Sequence, residues 1–365
     1  MCAEARIQWL RFSPGRRILV ISDIHGNVPY LEGVLRRAGF SDRDELIIDG
    51  DFLEKGEESL RTLRILMELS RRGNTHVLLG NCDDWFNIYN PGWNDRHDEQ
   101  VLRYILRKKR GLLWDMCNGA GIDPFELDDF SEAKRRLRER FPAEWDFLSA
   151  LPHAIDTEHY TFAHASVRPG KPLEAHTADE LDRCDSFLTQ GWYFDKWVIV
   201  GHYPVMLYGR DRVCANPIVD REKKIVSIDG GCVLKDDGQL NCLIIPEDGS
   251  EDFSFVAYDP FPERTALDAQ SEGERSYYIR WGDNQVRVLR RGEEFSRIRH
   301  VRTGYEMDIL TKYLYSDDEY TDCNDCTDYV LPVQPGDRLR VVEETSRGFF
   351  VKRSGVSGWY FGGLK

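Results

Sequence analysis

The chain has 365 residues, 41% of them hydrophobic, with 9 Trp, 16 Tyr and 18 Phe, and a formal net charge of -14. This composition excludes global disorder, and the length suggests two domains rather than one core. The acidic balance argues against duplex nucleic acid as a partner, and no run of about 18 apolar residues offers a membrane span.

The first residues lack the apolar stretch of a signal peptide, and the 9 cysteines are an odd number scattered through the chain. They read as reduced thiols in a cytoplasmic protein. The run at 18–21 is short, apolar and β-branched, as expected of a buried parallel strand. Pro29 opens a helix with Leu31, Val34, Leu35 and Ala38 on one face, and Gly39 ends it. Residues 46–48 form a second strand; Leu60, Leu63 and Met67 mark a second helix stopped by Gly73; residues 77–79 form a third strand. This βαβαβ unit predicts a parallel sheet covered by helices.

Residues 85–150 are charged and aromatic, with helical stretches such as 131–140, and read as a helical insertion over one end of the sheet. Strands resume at 160–163, 197–200, 225–228 and 240–245, which fits two facing sheets flanked by helices. The catalytic domain is expected to span 1–262, followed by a polar linker at 263–275 and a small all-β domain at 276–365. Within the latter, residues 316–328 hold six acidic and no basic residues, which predicts an exposed loop. That loop contains Cys323 and Cys326, a pair with no second Cys pair or nearby His to complete a zinc site, so an incidental role is expected. His76, His97, His153, His159 and His176 lack motif context and read as surface or core residues.

Five polar clusters follow predicted strands, where open α/β sheets bind ligands. In 22–27, Asp23 and His25 share a face of extended chain and can grip one cation, while Gly26 permits a tight turn. In 49–51, Asp51 can bridge two cations. In 80–83, the Asn81 amide oxygen can complete a second coordination sphere. His164 and His202 supply the fourth and fifth clusters. Such a ligand set suits first-row metals such as Mn, Fe, Zn or Co. Two such ions activate a water and neutralise phosphate oxygens. A lone Asp-x-His or Asp-Gly-Asp is commonly structural, but five such pieces in order, each after an apolar strand, point to a two-metal site.

With these motifs the sequence resembles the calcineurin-like metallophosphoesterase superfamily, whose D-x-H, G-D, G-N-H, later His and G-H stand here as Asp23-Ile24-His25, Gly50-Asp51, Gly80-Asn81, His164 and Gly201-His202. The resemblance covers about residues 16–246 and implies a four-layer α/β/β/α sandwich with a dinuclear centre. By position, Asp23 and His25 would bind one divalent ion (Mn, Fe or Zn), Asn81, His164 and His202 the other, and Asp51 would bridge. Within the superfamily the chain is most similar to bacterial PPP-type Ser/Thr protein phosphatases, through residues 50–56, 163–170, 201–204 and 228–233. That similarity implies a hydrolase of phosphate monoesters, with a phosphoprotein or small phosphoester as substrate, acting by in-line attack of a metal-bridging hydroxide.

Three departures bear on the substrate. Lys55 replaces a phosphate-clamping Arg, giving charge without a bidentate fork. A gapless alignment puts Cys184 on the second Arg position, leaving Arg168 or Arg183 as substitutes. Cys82 stands where PPP enzymes keep the His that protonates the leaving group. It is either a proton donor, assisted by Asp83 or Glu54, or a small packed residue. Cys82 and Lys55 favour, as an alternative, a phosphodiesterase or dinucleoside polyphosphate hydrolase. An inactive metal-binding scaffold acting through its C-terminal domain is the rival of another class. Residues 330–364 resemble bacterial SH3-like domains, which implies a peptide ligand for that domain.

Overall fold

The computed structural model describes residues 4–83, 98–128 and 130–365, and His97 lies outside them. The chain divides into two compact units: 1–203, 217–234 and 239–259 form the first, and 204–216, 235–238 and 260–365 form the second.

The first unit is organised by strands buried on both faces. In chain order it contains β1 (Ile7–Trp9), β2 (Ile18–Ile21), α1 (Val28–Ala38), β3 (Glu45–Asp49), α2 (Ser59–Ser70) and β4 (Thr75–Leu78). The insertion follows as α3 (Asp98–Lys108), α4 (Leu112–Ala120), α5 (Ser131–Arg140) and α6 (Pro142–Ala150). Then come β5 (Ala154–Asp156), β6 (Tyr160–Ala163), α7 (Ala178–Asp182) and β7 (Trp197–Val200). After β8 (Val213–Cys214), which belongs to the second unit, the chain returns as β9 (Ile218–Asp220), β10 (Ile225–Ser227), β11 (Leu240–Ile245) and β12 (Ser254–Tyr258).

Two mixed sheets result, with strand orders β12-β11-β2-β3-β4 and β1-β5-β6-β7-β10-β9. β2, β3 and β4 are mutually parallel, as the βαβαβ pattern requires. Period-two alternation divides their side chains between two cores. Ile18, Val20, Ile47 and Leu78 pack with Ile155, Phe162, Ile199 and Val226 of the second sheet, so the sheets face each other. Leu19, Ile21, Leu46, Ile48 and Val77 turn the other way, onto Leu31 and Val34 of α1, Leu63 and Leu66 of α2, and Met116 and Leu137 of the insertion. This is the expected layered α/β/β/α arrangement.

α1 begins and ends where its residues dictate. The Asn27 side chain accepts from the Tyr30 amide, Pro29 sits in the first turn, and Gly39 closes the helix at φ +63°. The effect is to start the helix immediately after the His25 loop.

The second unit is antiparallel β structure: β13 (Glu263–Thr265), β14 (Tyr278–Ile279), β15 (Gln285–Arg290), β16 (Phe295–His300), β17 (Glu306–Leu310), β18 (Tyr320–Asp322), β19 (Cys326–Thr327), β20 (Arg338–Thr345), β21 (Gly348–Arg353) and β22 (Val356–Tyr360). A five-stranded sheet runs β13-β20-β21-β22-β8 and a four-stranded sheet β17-β16-β15-β18, with separate apolar clusters.

Two expectations are corrected here. The stretch 263–275 is not a free linker: β13 pairs with β20, Ala266 bridges to Leu364 and Gln270 to Val333. Ladder bonds use backbone atoms, so a polar edge strand carries no apolar signal. The acidic stretch 316–328 is not a fully exposed loop either, because it holds β18 and β19, and Cys323 and Cys326 are buried in the core of the four-stranded sheet. Asp322 alternates with inward-facing Thr321 and Cys323, while Asp317, Asp318 and Glu319 are exposed just before the strand, so the charge count hides it.

Candidate metal centre

The candidate ligands sit on loops at the carboxyl ends of β2, β3, β4, β6 and β7. Short backbone bonds tie these loops together: Asp23 N donates to Gly50 O (3.0 Å), His25 N to Asp51 O (2.9 Å) and Gly26 N to Phe52 O (2.8 Å). Asp23, His25, Asp51 and His202 are non-glycine residues in the left-handed region, at φ +56°, +51°, +51° and +68°. Such conformations cost free energy and persist where the surroundings over-determine them, which is typical of functional sites.

Two clusters of ligand atoms share Asp51. One atom each from Asp51, His164 and His202 lie within 4.8 Å of one another, and so do atoms from His25, Asp51 and Cys82. His25 Nε2 lies 3.8 Å from Asp23 Oδ1 and 4.0 Å from Asp51 Oδ2, and His164 Nε2 lies 3.3 Å from Asp51 Oδ1. The His164 and His202 rings meet edge to face at 5.1 Å.

Several polar atoms at and near this space lack hydrogen-bond partners. Asp23 Oδ1, His25 Nε2, Asn81 Oδ1 and His164 Nε2 are all buried and unbonded. Their other atoms are engaged: Asp23 Oδ2 accepts from His202 N (3.0 Å), Asp51 Oδ1 from Cys82 N (2.7 Å), and His164 Nδ1 meets Asp49 O at 2.9 Å. The last contact fixes the His164 tautomer, since a ring N–H facing a carbonyl leaves the Nε2 lone pair pointing inward. Buried polar atoms without partners are rare in folded proteins. Among the described residues, no Lys or Arg pairs with the buried Asp23, Asp49, Asp51 or Asp83. Uncompensated buried carboxylates are costly, and cations held between them and neutral imidazoles would remove that cost. The donor set therefore fits divalent metal ions.

Electrostatics agree with that fit at His25 and His202, while Asp23 and His164 must give up protons to bind an ion. Burial pushes His25 down to about 4 and His202, with help from His164, down to about 3, so both rings are neutral lone-pair donors. Burial and then Asp229 hold Asp23 well above the carboxylate range. Burial opposes protonation of His164, but Asp51 beside it outweighs this and raises it well above its ordinary value, so an ion bound there would displace the Nε2 proton held next to Asp51. The approach of the loops needs glycine: a Cβ on Gly80 would stand 2.3 Å from Asp51 Oδ1, and one on Gly201 2.3 Å from Asp23 Oδ2.

The remaining site residues divide. Cys82 is buried with its sulfur among His25 and Asp51, and burial, then Asp51, raises its thiol well above its usual range. Asp83 accepts from Leu53 N and Gly80 N, each at 2.9 Å, so its carboxylate braces the loops after β3 and β4. Glu54, pushed up to about 7 by burial, accepts from Leu112 N (2.9 Å) and Tyr104 Oη (3.3 Å) of the insertion. Lys55 is half-buried, and its charge lowers the pKa values of both His25 and Cys82. Arg183, bonded to Asp179 at 3.0 Å, acts on His202 in the same way. Arg168 lies with its guanidinium 5.2 Å from the centre of the Trp192 ring. Sequence reasoning passed over Asp49, whose two carboxylate oxygens are buried and unbonded and whose pKa burial raises to about 7. It belongs to neither ligand cluster, and its backbone carbonyl orients His164.

A family model for calcineurin-like phosphoesterases matches residues 16–229, more than half of the chain. The symmetrical bis(5'-nucleosyl)-tetraphosphatase of Buchnera aphidicola subsp. Schizaphis graminum is 28% identical over 146 residues, 39% of this chain and 50% of that protein. Serine/threonine-protein phosphatase 2 of Escherichia coli K12 is 26% identical over 121 residues, 28% of this chain and 54% of that protein. The chain thus spans about half the length of the curated relatives it matches. A solved putative diadenosine tetraphosphatase is similar at 22% identity and TM-score 0.43, covering 70% of this chain and 99% of that one. With that family model matching more than half of the chain, from β2 through β10, this chain belongs to the calcineurin-like phosphoesterase family.

Proposed function

We propose that the chain is a metal-dependent phosphoric ester hydrolase acting on phosphate monoesters, of the phosphoprotein phosphatase kind. The observation that carries this reading is that Asp51 is shared by two ligand-atom clusters, beside which the buried Asp23 Oδ1, His25 Nε2 and His164 Nε2 lack hydrogen-bond partners. Asp23, His25 and Asp51 would hold one divalent ion, and Asp51, Asn81, His164 and His202 a second, with Mn, Fe or Zn suited to these donors. Bound there, such ions lower the pKa of a coordinated water and neutralise phosphate oxygens.

The chain's own residues supply the rest. Lys55 and Arg183, whose charges reach His25 and His202 respectively, bind the phosphate oxygens of the substrate. Arg168, stacked on Trp192 and paired with Glu180, is the less favoured of the two Arg candidates. Asp83 holds the backbone at Leu53 and Gly80, and with it the spacing between Asp51 and Asn81. The Cys82 thiol stands beside the ligand set, where it can donate a proton to a departing oxygen.

A dinucleoside polyphosphate hydrolase is the second reading. It is favoured by Cys82 in place of a His and by the Buchnera tetraphosphatase among the relatives. An inactive scaffold is disfavoured, because a decayed site would lose ligands and this one retains all six. The test is hydrolysis by the Mn-loaded chain of an aryl monoester, an aryl diester and diadenosine tetraphosphate. Monoester turnover above the other two is expected; a metal-loaded protein inert on all three would end both hydrolase readings.

A further inference from the structure

Glu54 is tied to the insertion rather than to the ligand set. It is 3% exposed and follows Asp51 by three residues. One carboxylate oxygen accepts from the amide of Leu112, the first residue of α4, and the other from the Tyr104 hydroxyl on α3. The bond is reciprocated: Asp115 of α4 accepts from Leu60 N at the start of α2 (3.0 Å), so each segment caps the other's helix. α4 has no side-chain cap of its own, and a Cβ at Gly111 would stand 2.3 Å from the Glu54 carboxylate. Glu54 and Lys55 are consecutive non-glycine residues at φ +62°. Two such residues in a row relax unless held, and what holds them is Ser59 Oγ on Glu54 N (3.0 Å) and the insertion on its carboxylate.

We propose that Glu54 is a positioning residue, not an acid or base: by anchoring to Leu112 and Tyr104 it locks the strained Glu54-Lys55 pair so that the Lys55 ammonium faces the bound phosphate. The helical insertion is thereby coupled to phosphate binding. This rests on Lys55 being a phosphate ligand, as read above.

The experiment uses the full chain loaded with Mn, steady-state kinetics on an aryl phosphate, metal content and circular dichroism. K55A is expected to raise KM about tenfold or more. E54A should raise KM about tenfold with kcat changed by less than about threefold and with metal content unchanged. The double variant should be no worse than K55A alone, since both act through the same ammonium. E54Q retains an acceptor oxygen for the Leu112 amide and should rescue KM to within about threefold of wild type. Y104F, which leaves the loop intact, should raise KM about threefold, and only when Lys55 is present.

Additive effects of E54A and K55A overturn the proposal, as does an E54Q that loses kcat with KM unmoved, because that is the signature of a proton-transfer group. Should E54A fail to fold, a Y104F enzyme with wild-type KM overturns it. If K55A itself leaves KM unchanged, the phosphate role of Lys55 fails and the tether with it. If K55A raises KM while E54A and Y104F do not, the tether alone is wrong.

Discussion

Asp51 carries more of the site than any other residue. Its carboxylate belongs to both ligand clusters, its own backbone is held at φ +51°, and Gly80 must lack a Cβ to let it approach. Asp51→Asn keeps the shape but removes the charge from both clusters. Activity should fall by at least about 10²-fold, more than for any other single ligand change, with bound metal reduced. Elemental analysis and turnover check this; a variant with wild-type metal content and rate would remove the bridging role. Cys82 yields a second test. Cys82→His adds a better proton donor, typically worth about 10²–10⁴-fold where the leaving group needs a proton. Alkyl monoesters should therefore gain on aryl ones. An unchanged alkyl-to-aryl ratio would mean that Cys82 does not face the leaving group. The sequence left Cys82 between donor and packing residue, because neighbours in space decide a thiol's role; its sulfur lies among His25 and Asp51.

The elements that carry the site were readable as elements. β2 and the centres of β3 and β4 are apolar because both faces are buried, and α1 is bounded by Asn27 and Gly39. What joins β5 to the rest was not readable. His153, just before β5, is buried and its Nδ1 accepts from the Arg6 amide, a bond that requires the neutral ring. Burial, then Arg6, lowers His153 from 6.5 to about 4. Between those values the unfolded chain binds the proton and the folded chain does not, so stability falls as pH drops from about 6.5 to 4. The full loss from this group is up to about 3 kcal/mol. Denaturant unfolding at pH 7 and pH 4.5 should show a larger drop for wild type than for His153→Gln. Equal drops in the two proteins would mean that another group sets the slope.

At the scale of the whole molecule, the second unit is built from three chain segments. β8, at 213–214, is the edge of its five-stranded sheet, paired to β22, and Met206, Val213 and Ala215 pack with Tyr278. A chain cut after residue 262 therefore loses the partners of these buried residues. The sequence expectation of an independent domain at 1–262 gives way to a different prediction: the truncated chain should show a melting temperature several degrees lower, or aggregate, through the exposed 204–216 segment. Leaving Met206, Val213 and Ala215 without Tyr278 costs roughly 1.5–3 kcal/mol for each large side chain. Differential scanning calorimetry of the two lengths decides; an unchanged melting temperature would restore the simple division. No helix among the described residues is long and apolar enough to cross a membrane.

Local chemistry in order along the chain was enough to determine the layered α/β scaffold, the six candidate ligands and the family. Strand burial, helix caps and polar loop residues are written within a few positions of each other, and a ligand set at strand ends needs no long-range information to be noticed. Tertiary structure alone decided what each polar group faces. Asp83 braces backbone amides, Glu54 reaches 58 residues along the chain to Leu112, and Cys323 and Cys326 lie in a core despite six nearby carboxylates. The physical reason is common to all three: a hydrogen bond or a buried face depends on which groups meet in space, and backbone partners carry no mark in the side-chain sequence.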